Sequence, residues 1–249
     1  WHVVAQRDFN GDSRADIVWR HDNGDLAIWF MNGPTVVSSL AGLNVPPTWQ
    51  IVGTGDFNAD HRADLLWRDG SGNTAMYLID NGIIGSASYG VIPPSWSVRA
   101  TSDFDGDGKA DILWHDSSGA VALWFMFGTT VQSTAAIANV PAPWSIVASG
   151  DFNGDGKADI LWRNTTTGDV AMWLMNGSAV AGTAAVATIP TTWTIVETGD
   201  FNGDGKSDIL WRDNTGNTAI WFMNGTAIAS SAAIGNVPMT WNIENTNSN

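Results

Sequence analysis

The sequence predicts an all-β fold, a five-bladed β-propeller with four antiparallel strands in each blade. Three observations support this prediction. A W-x-[IV] signature recurs at an interval of about 48 residues. Each interval contains four short apolar segments separated by clusters of Gly, Asn, Asp and Pro, and no stretch shows the three-and-four spacing of a helix. The signature begins at Trp1, Trp49, Trp96, Trp144, Trp193 and Trp241.

Each repeat corresponds to one blade of a single domain over residues 1–249. Its strands are the W-x-[IV] segment, an A-D-I-L-W-R segment, an A-M-W-L-M segment and a weaker stretch rich in Ala, Val and Thr. Neighbouring blades cover both faces of a propeller sheet, which explains the nearly continuous apolar runs. An open β-solenoid is the alternative, although its repeats are usually shorter. The predicted blades span residues 1–48, 49–95, 96–143, 144–192 and 193–240, and residues 241–249 form a closing strand or tail.

The sixth W-x-[IV] segment, at Trp241, has no further strands after it in the sequence. Either this segment pairs beside the first blade and closes the ring, or the chain is a slice of a longer array. We favour ring closure, because an open sheet edge exposes unpaired backbone groups to aggregation.

The composition excludes several classes of function. Lys and Arg number only 11 against 25 acidic residues, and the formal charge of −14 makes nucleic acid an improbable partner. Cysteine is absent, so disulfides, thiolate metal sites and cysteine nucleophiles are excluded. No apolar stretch approaches the roughly 20 residues of a membrane span, so we expect no membrane insertion. We expect a secreted or cell-surface protein, with a bacterial extracellular setting favoured.

Every blade carries a nine-residue acidic loop between its first and second strands. The loops read DFNGDSRAD, DFNADHRAD, DFDGDGKAD, DFNGDGKAD and DFNGDGKSD, starting at residues 8, 56, 103, 151 and 200. Side-chain oxygens fall at loop positions 1, 3, 5 and 9, and a backbone carbonyl is available at position 7. A curled loop brings such alternate oxygens to one point, as Ca²⁺ prefers, whereas Mg²⁺ requires tighter octahedral geometry. The sequence therefore predicts up to five Ca²⁺ ions.

The predicted ligands are the side chains at positions 1, 3, 5 and 9 and the carbonyl at position 7 of each loop. They are Asp8, Asn10, Asp12, Arg14 and Asp16; Asp56, Asn58, Asp60, Arg62 and Asp64; Asp103, Asp105, Asp107, Lys109 and Asp111; Asp151, Asn153, Asp155, Lys157 and Asp159; and Asp200, Asn202, Asp204, Lys206 and Asp208.

Two alternatives to calcium binding fit the loops less well. An EF-hand needs Glu at position 12 and flanking helices, but position 12 is Trp in all five loops and the flanks are strands. Asp and Asn also favour ordinary turns. Five aligned copies favour the metal, because three or four acids within nine residues repel one another without a counter-ion. We expect weaker binding in the first two loops, where Ser13 and His61 replace the glycine at position 6.

The repeated string [GS]-D-F-N-G-D-G-K-A-D-I-L-W-R resembles the FG-GAP or VCBS-type repeat of bacterial surface proteins, which is similar to the calcium-binding blades of integrin alpha-chain propellers. The resemblance covers essentially the whole chain. It implies a propeller with calcium in the loop between the first and second strands of each blade. It does not imply one function, because such blades occur in adhesion proteins, in integrin-like propeller lectins and beside polysaccharide-degrading domains.

No catalytic constellation is evident, so we predict that the chain is not an enzyme. The four histidines are scattered, and a G-x-S-x-G motif is absent. Glu197 and Glu244 both follow a W-x-[IV] strand and could be proposed as an acid and a base, but a solvated strand end accounts for them more simply.

Aromatic and Arg side chains recur at positions suited to sugar binding, in which rings stack on apolar sugar faces and polar groups bind hydroxyls. Inter-blade packing is the stronger explanation for the same rings. The candidates are Trp29, Tyr77, Trp124, Trp173 and Trp221 in the third strands and Arg20, Arg68, Arg163 and Arg212 at the ends of the second.

The sequence leaves three functions open. The leading hypothesis is a carbohydrate-binding propeller with several equivalent inter-blade grooves, whose multivalency offsets weak single sites. The second is an adhesion module for a cell-surface or extracellular protein, using the divergent second and third blades with Tyr89, Arg99 and Phe127. The third is a part of a polysaccharide lyase or hydrolase.

Overall fold

The computed structural model of the chain describes residues 1–241, which form twenty β-strands in five four-stranded sheets. In chain order the strands are β1 (His2–Arg7), β2 (Asp16–Arg20), β3 (Asp25–Asn32), β4 (Thr35–Asn44), β5 (Trp49–Gly55), β6 (Asp64–Asp69), β7 (Asn73–Ile79), β8 (Ile83–Val91), β9 (Trp96–Ser102), β10 (Asp111–Asp116), β11 (Ala120–Phe127), β12 (Thr130–Asn139), β13 (Trp144–Gly150), β14 (Asp159–Asn164), β15 (Asp169–Asn176), β16 (Ala179–Thr188), β17 (Trp193–Gly199), β18 (Asp208–Asp213), β19 (Asn217–Asn224) and β20 (Ala227–Asn236).

Each sheet is an antiparallel meander of four consecutive strands, and we number these sheets blades 1 to 5. The second strand lies between the first and third, so both its edges are paired, and the adjacent blades cover its two faces, as the fully buried strand β14 shows. Its A-D-I-L-W-R sequence therefore lacks the polar alternation of a half-exposed strand. The structure confirms the predicted all-β propeller with five blades and four antiparallel strands in each.

The turn between the second and third strands of each blade docks onto the end of the fourth strand. In blade 2, Gly72 has a φ of +91°, and its carbonyl accepts a hydrogen bond from the N–H of Ile92 at 2.9 Å. A Cβ at Gly72 would lie 2.0 Å from the carbonyl oxygen of Ile92. Only glycine fits this turn, because both the positive φ and the close backbone approach exclude a side chain.

The core lies between blades. We call the face of a blade that packs on the following blade its leading face, the opposite face its trailing face, and the contact between two blades a joint. In the joint between blades 3 and 4, Phe104 and Leu113 of the leading face pack against Ile160 and Trp162 of the trailing face, and all four side chains are buried. The same arrangement connects blades 1 and 2, 2 and 3, and 4 and 5.

A backbone hydrogen bond ties the acidic loop of one blade to the next blade in each of these four joints. The carbonyl of the first loop Asp accepts from the N–H of the residue at position 8 of the following loop. The four pairs are Asp8 with Ala63 at 2.7 Å, Asp56 with Ala110 at 2.6 Å, Asp103 with Ala158 at 2.6 Å and Asp151 with Ser207 at 2.6 Å. The loop that carries the candidate metal ligands is thus also part of the joint.

A narrow cavity of about 140 Å³ lies where the first strands of all five blades meet. Its lining includes Arg7 of β1, Arg99 of β9 and Glu197 of β17. Burial lowers the pKa of Arg7 to about 10, and the nearby charge of Glu197 partly offsets this effect. Blades 1 and 5 therefore come close to each other at the axis.

The predicted closing segment begins at Trp241, which is exposed, and its remaining residues, 242–249, lie outside the described part of the chain. Over residues 1–241, no helix is long and apolar enough to cross a membrane.

Because only some of the equivalent phenylalanines lie in a joint, we expect their truncation to alter the free energy of unfolding by different amounts. Phe104 is fully buried in a joint, so we expect Phe104→Ala to lower the free energy of unfolding by about 3 to 5 kcal/mol. Phe201, at the same position of blade 5, is 46% exposed, so Phe201→Ala should cost about 1 kcal/mol or less. Urea denaturation followed by Trp fluorescence measures both, and equal losses would contradict the joint description.

Candidate metal centre

Each acidic loop is folded around the carboxylate at position 1. In blade 4, Asp151 Oδ1 accepts hydrogen bonds from the N–H groups of Gly154 at 2.6 Å and Asp155 at 3.2 Å, and Oδ2 accepts from Gly156 at 2.8 Å. The corresponding carboxylates Asp8, Asp56, Asp103 and Asp200 accept from their own loops in the same way. The loop backbone thus curls around an anion.

The carboxylate at position 9 ties the loop to the third strand. Asp159 Oδ2 accepts from the N–H of Phe152 at 3.1 Å, and Oδ1 accepts from the N–H of Met175 at 2.9 Å. The other four position-9 residues make the same two bonds, and all five are buried. The sequence predicted these residues as metal ligands but did not reveal this second, structural role.

Burial makes the charged form of the position-9 carboxylates costly. It raises the pKa of Asp64, Asp111 and Asp159 to about 7, because desolvation outweighs the two backbone hydrogen bonds that favour the anion. Repulsion from the other carboxylates of the same loop raises the pKa of each further. A bound cation would remove this penalty, since it stabilises every carboxylate around it.

The third loop brings three predicted ligands together. One carboxylate oxygen from each of Asp103, Asp105 and Asp111 lies within 4.8 Å of the others, and this is the one such acidic group among the described residues. Only this loop has Asp at position 3, and repulsion from the neighbouring carboxylates helps to raise the pKa of Asp105 after burial itself. The other loops have Asn at position 3, an uncharged oxygen donor suited to the same place.

The basic side chain at position 7 lies over the loop, a role that was not predicted from the sequence. In the first three loops it pairs with the position-5 carboxylate, as in the contacts of Arg14 with Asp12 at 3.0 Å and Lys109 with Asp107 at 2.9 Å. It also crosses joints, because Arg62 Nε donates to the carbonyl of Asn10 at 3.2 Å. The recurrence of a basic residue at position 7 of every loop is the sequence feature that could have indicated this role.

Positions 4 and 6 of every loop have a positive φ. Glycine supplies most of them, but Ser13, Ala59 and His61 adopt φ values of 62° to 63°. A residue with a Cβ is strained in this conformation, typically by about 1 to 2 kcal/mol. The first two loops therefore carry strain that the others avoid, and the weaker cation binding expected of them stays a prediction.

Four of the five candidate sugar-binding rings, all but Trp29 of blade 1, lie within the joints. Each third-strand aromatic ring packs at a tilt on the second-strand Trp of its own blade, with centroids 4.8 to 6.0 Å apart. Of these rings, Trp221 is buried, Tyr77, Trp124 and Trp173 are half-buried, and Trp29 is 39% exposed. The role of these rings in ligand binding stays a prediction, and packing accounts for part of their surface.

The four candidate arginines are held by carbonyl groups. Arg163 Nη2, for example, donates to the carbonyls of Ile189 at 3.0 Å and Pro190 at 2.9 Å. Its guanidinium also lies over the ring of Trp211, 5.0 Å from the centroid. Arg20 and Arg68 make equivalent contacts across their joints, and Arg212 binds the carbonyls of Val237 and Pro238. Arg20, Arg68 and Arg163 therefore contribute to joints between blades, whereas Arg212 is held by the segment that follows β20 of its own blade.

Substitution of two aspartates of the fourth loop should distinguish a structural role from a role in metal binding. Asp159→Ala leaves two buried N–H groups without an acceptor, so we expect a loss of about 2 to 5 kcal/mol in the free energy of unfolding even in EDTA. Asp155→Ala, at exposed position 5, should cost less than about 1 kcal/mol in EDTA but should reduce calcium-dependent stabilisation. Urea denaturation with and without calcium checks both, and equal losses in EDTA would contradict the assigned roles.

Solved structures with a similar fold differ strongly in sequence. A structure of the Photorhabdus luminescens Tc holotoxin pore aligns with 98% of this chain and 12% of its own chain, at 15% identity and a TM-score of 0.60. BBS1N, in a crystal structure with ARL6DN, aligns with 93% of this chain and 66% of its own, at 12% identity and a TM-score of 0.53. The chain thus spans 12% and 66% of these two proteins, and at such identities the likeness shows the fold alone. No curated protein sequence matches the chain.

The family model described as FG-GAP-like repeat matches residues 8–67, 103–162 and 151–211. The matched segments contain all five acidic loops and cover more than half of the chain. Together with the loops and joints described above, this match shows that the chain belongs to the family of FG-GAP-like repeat propellers.

Proposed function

We propose that this FG-GAP-like propeller is a calcium-binding module that acts outside the cell, secreted or at the cell surface, and binds carbohydrate through grooves between its blades. The observation that carries the calcium proposal is the convergence of Asp103, Asp105 and Asp111 within 4.8 Å of one another, in a loop design that recurs in every blade. A binding role, not an enzymatic one, is the proposal for the whole chain.

Calcium fits the donor set better than other common cations. The side chains at positions 1, 3, 5 and 9 supply only hard carboxylate and amide oxygens, and the sequence has no sulfur donor other than methionine. Four side-chain oxygen donors and one backbone carbonyl in a nine-residue loop suit the irregular six- to eight-fold coordination of Ca²⁺ better than the octahedral geometry of Mg²⁺, which retains several waters. When bound, calcium would supply positive charge and hold the loop in place; it is not required to take part in any reaction.

The sugar proposal rests on aromatic surface within the joints. Between blades 4 and 5, a cavity of about 180 Å³ is lined by Ile189, Pro190, Trp193, Trp211, Ala219 and Trp221. Rings of this kind stack against the apolar face of a sugar, and nearby carbonyl groups bind its hydroxyls. Several such joints on one chain would give avidity even when each site is weak.

Binding of a protein partner is the second candidate. Phe127 at the end of β11 is 61% exposed, and Lys109 Nζ lies 5.1 Å from the centroid of its ring. Of the other two residues predicted for such a surface, Tyr89 donates from its hydroxyl to the carbonyl of Thr129 at 3.0 Å and is partly buried, while Arg99 lines the axial cavity. Phe127 is therefore the residue of this set that best supports a protein contact.

Chelation should destabilise the protein. Ions that bind only the folded state each add RT ln(1 + [L]/Kd), about 2.7 kcal/mol per site when calcium is at 100 times Kd. We therefore expect about five calcium ions per chain and a fall of several degrees or more in the melting temperature with EDTA, reversed by calcium and less by magnesium. Elemental analysis and Trp fluorescence melting provide the measurements. A protein without ions and with an unchanged melt would refute the calcium proposal.

Sugar binding should depend on the half-buried rings. We expect a glycan array to give several positive glycans with a shared terminal sugar, and Trp173→Ala to weaken binding at its joint by about tenfold, the loss of one aromatic contact. Ile84→Ala on the exposed outer strand of blade 2 is the matched control and should bind as the parent protein does. No glycan binding by the calcium-loaded protein would refute the sugar proposal and favour a protein partner.

A further inference from the structure

The four joints define what a fifth joint, between blade 5 and blade 1, would contain. The N–H of Ala15 would donate to the carbonyl of Asp200, Arg212 would stack on Trp19, and Phe201 would be buried. Within the described residues neither the hydrogen bond nor the stacking contact is made, and Phe201 is 46% exposed. Within residues 1–241, blades 1 and 5 approach each other at the axis and make neither of these two contacts farther out.

The leading face of blade 5 is consequently uncovered. Phe201 corresponds to Phe9, Phe57, Phe104 and Phe152, each of which is 0% exposed. Leu210 of β18 is half-buried, whereas the matching residues of the other four blades are fully buried. The outer strand β20 is exposed along its whole length. This face has the apolar residues of a joint and, within residues 1–241, no blade against it.

The trailing face of blade 1 is uncovered in the same way. Ala15 is exposed, although Ala63, Ala110, Ala158 and Ser207 at the same position are buried. Trp29 is the most exposed of the five third-strand rings, and Ile17 and Met31 are partly accessible. The two faces are therefore the two halves of one joint, both exposed on the same molecule.

Charge also matches across the two faces. In three of the four formed joints a basic residue at position 7 reaches back to position 4 of the preceding loop, where Arg62, Lys157 and Lys206 lie against Gly11, Gly106 and Gly154. At the uncovered faces Gly203 has open space around it, in a loop with three acidic side chains, and Arg14 pairs with Asp12 of its own loop. Arg14 of one molecule can therefore reach the acidic loop of blade 5 in another.

We propose that the leading face of blade 5 binds the trailing face of blade 1 of a second copy of this chain, in a head-to-tail contact that repeats the internal joint. The surface that fits each face is a blade of this same repeat, and in a solution of the pure protein another copy supplies it. Such a contact is heterologous, so one face of each molecule stays available after pairing and higher oligomers can form.

The test measures mass against concentration by sedimentation velocity on the calcium-loaded chain of 249 residues. We expect the mean mass of the parent to rise above the monomer as concentration increases. Phe201→Asp alters only the leading face and Ala15→Glu only the trailing face, and each should remain monomeric. Ile84→Asp, which places the same charge on an exposed residue of β8, should associate as the parent does.

The mixture of Phe201→Asp and Ala15→Glu is the decisive sample. Each variant retains the face that the other lacks, so the mixture should form dimers and stop there. This recovery requires that both variants fold, and a symmetric interface would not produce it. A parent that is monomeric at all concentrations, or a mixture that stays monomeric, would overturn the proposal. A monomer that associates only after residues 242–249 are removed would overturn it too, by showing that this segment covers the faces.

Discussion

Burial of apolar blade faces against neighbouring blades is the constraint on which the rest of this structure depends. A four-stranded sheet with Phe, Leu, Ile and Trp on both sides cannot hide its apolar surface alone, so each blade needs a neighbour on each side. The joints meet this need with the same few contacts four times over. The repeat thus determines the joint, and the joint determines the propeller.

The acidic loops and the joints are parts of one arrangement. The first Asp of a loop curls the loop with its carboxylate and binds the next blade with its carbonyl, while the Phe at position 2 is buried between the blades. The ninth residue holds the same loop to the third strand. A cation bound among these carboxylates would therefore stabilise contacts beyond the loop, which is why we expect chelation to affect the melting of the whole domain.

The joint contacts also separate residues that hold the fold from those that can bind a partner. The arginines at the ends of the second strands donate to carbonyl groups of the connection that follows the fourth strand, so two or three of the five N–H donors of each guanidinium are already used. The third-strand rings retain accessible surface in three of the joints. A sugar would have to use that surface together with backbone carbonyls, and several weak sites between the blades are the consistent outcome.

Repetition in the sequence was enough to predict the number of blades, the four strands in each and the position of the acidic loops, because repeats of similar sequence adopt the same local structure. The spacing of oxygens within nine residues is likewise a local property, so the candidate ligands could be named in advance. The second role of Asp159 in binding the N–H of Met175, the contact of Arg62 with the preceding loop and the exposure of Phe201 could not. These features depend on which residues meet across strands and blades, and nothing in the sequence distinguishes Phe201 from Phe152 until the neighbour of each blade is known.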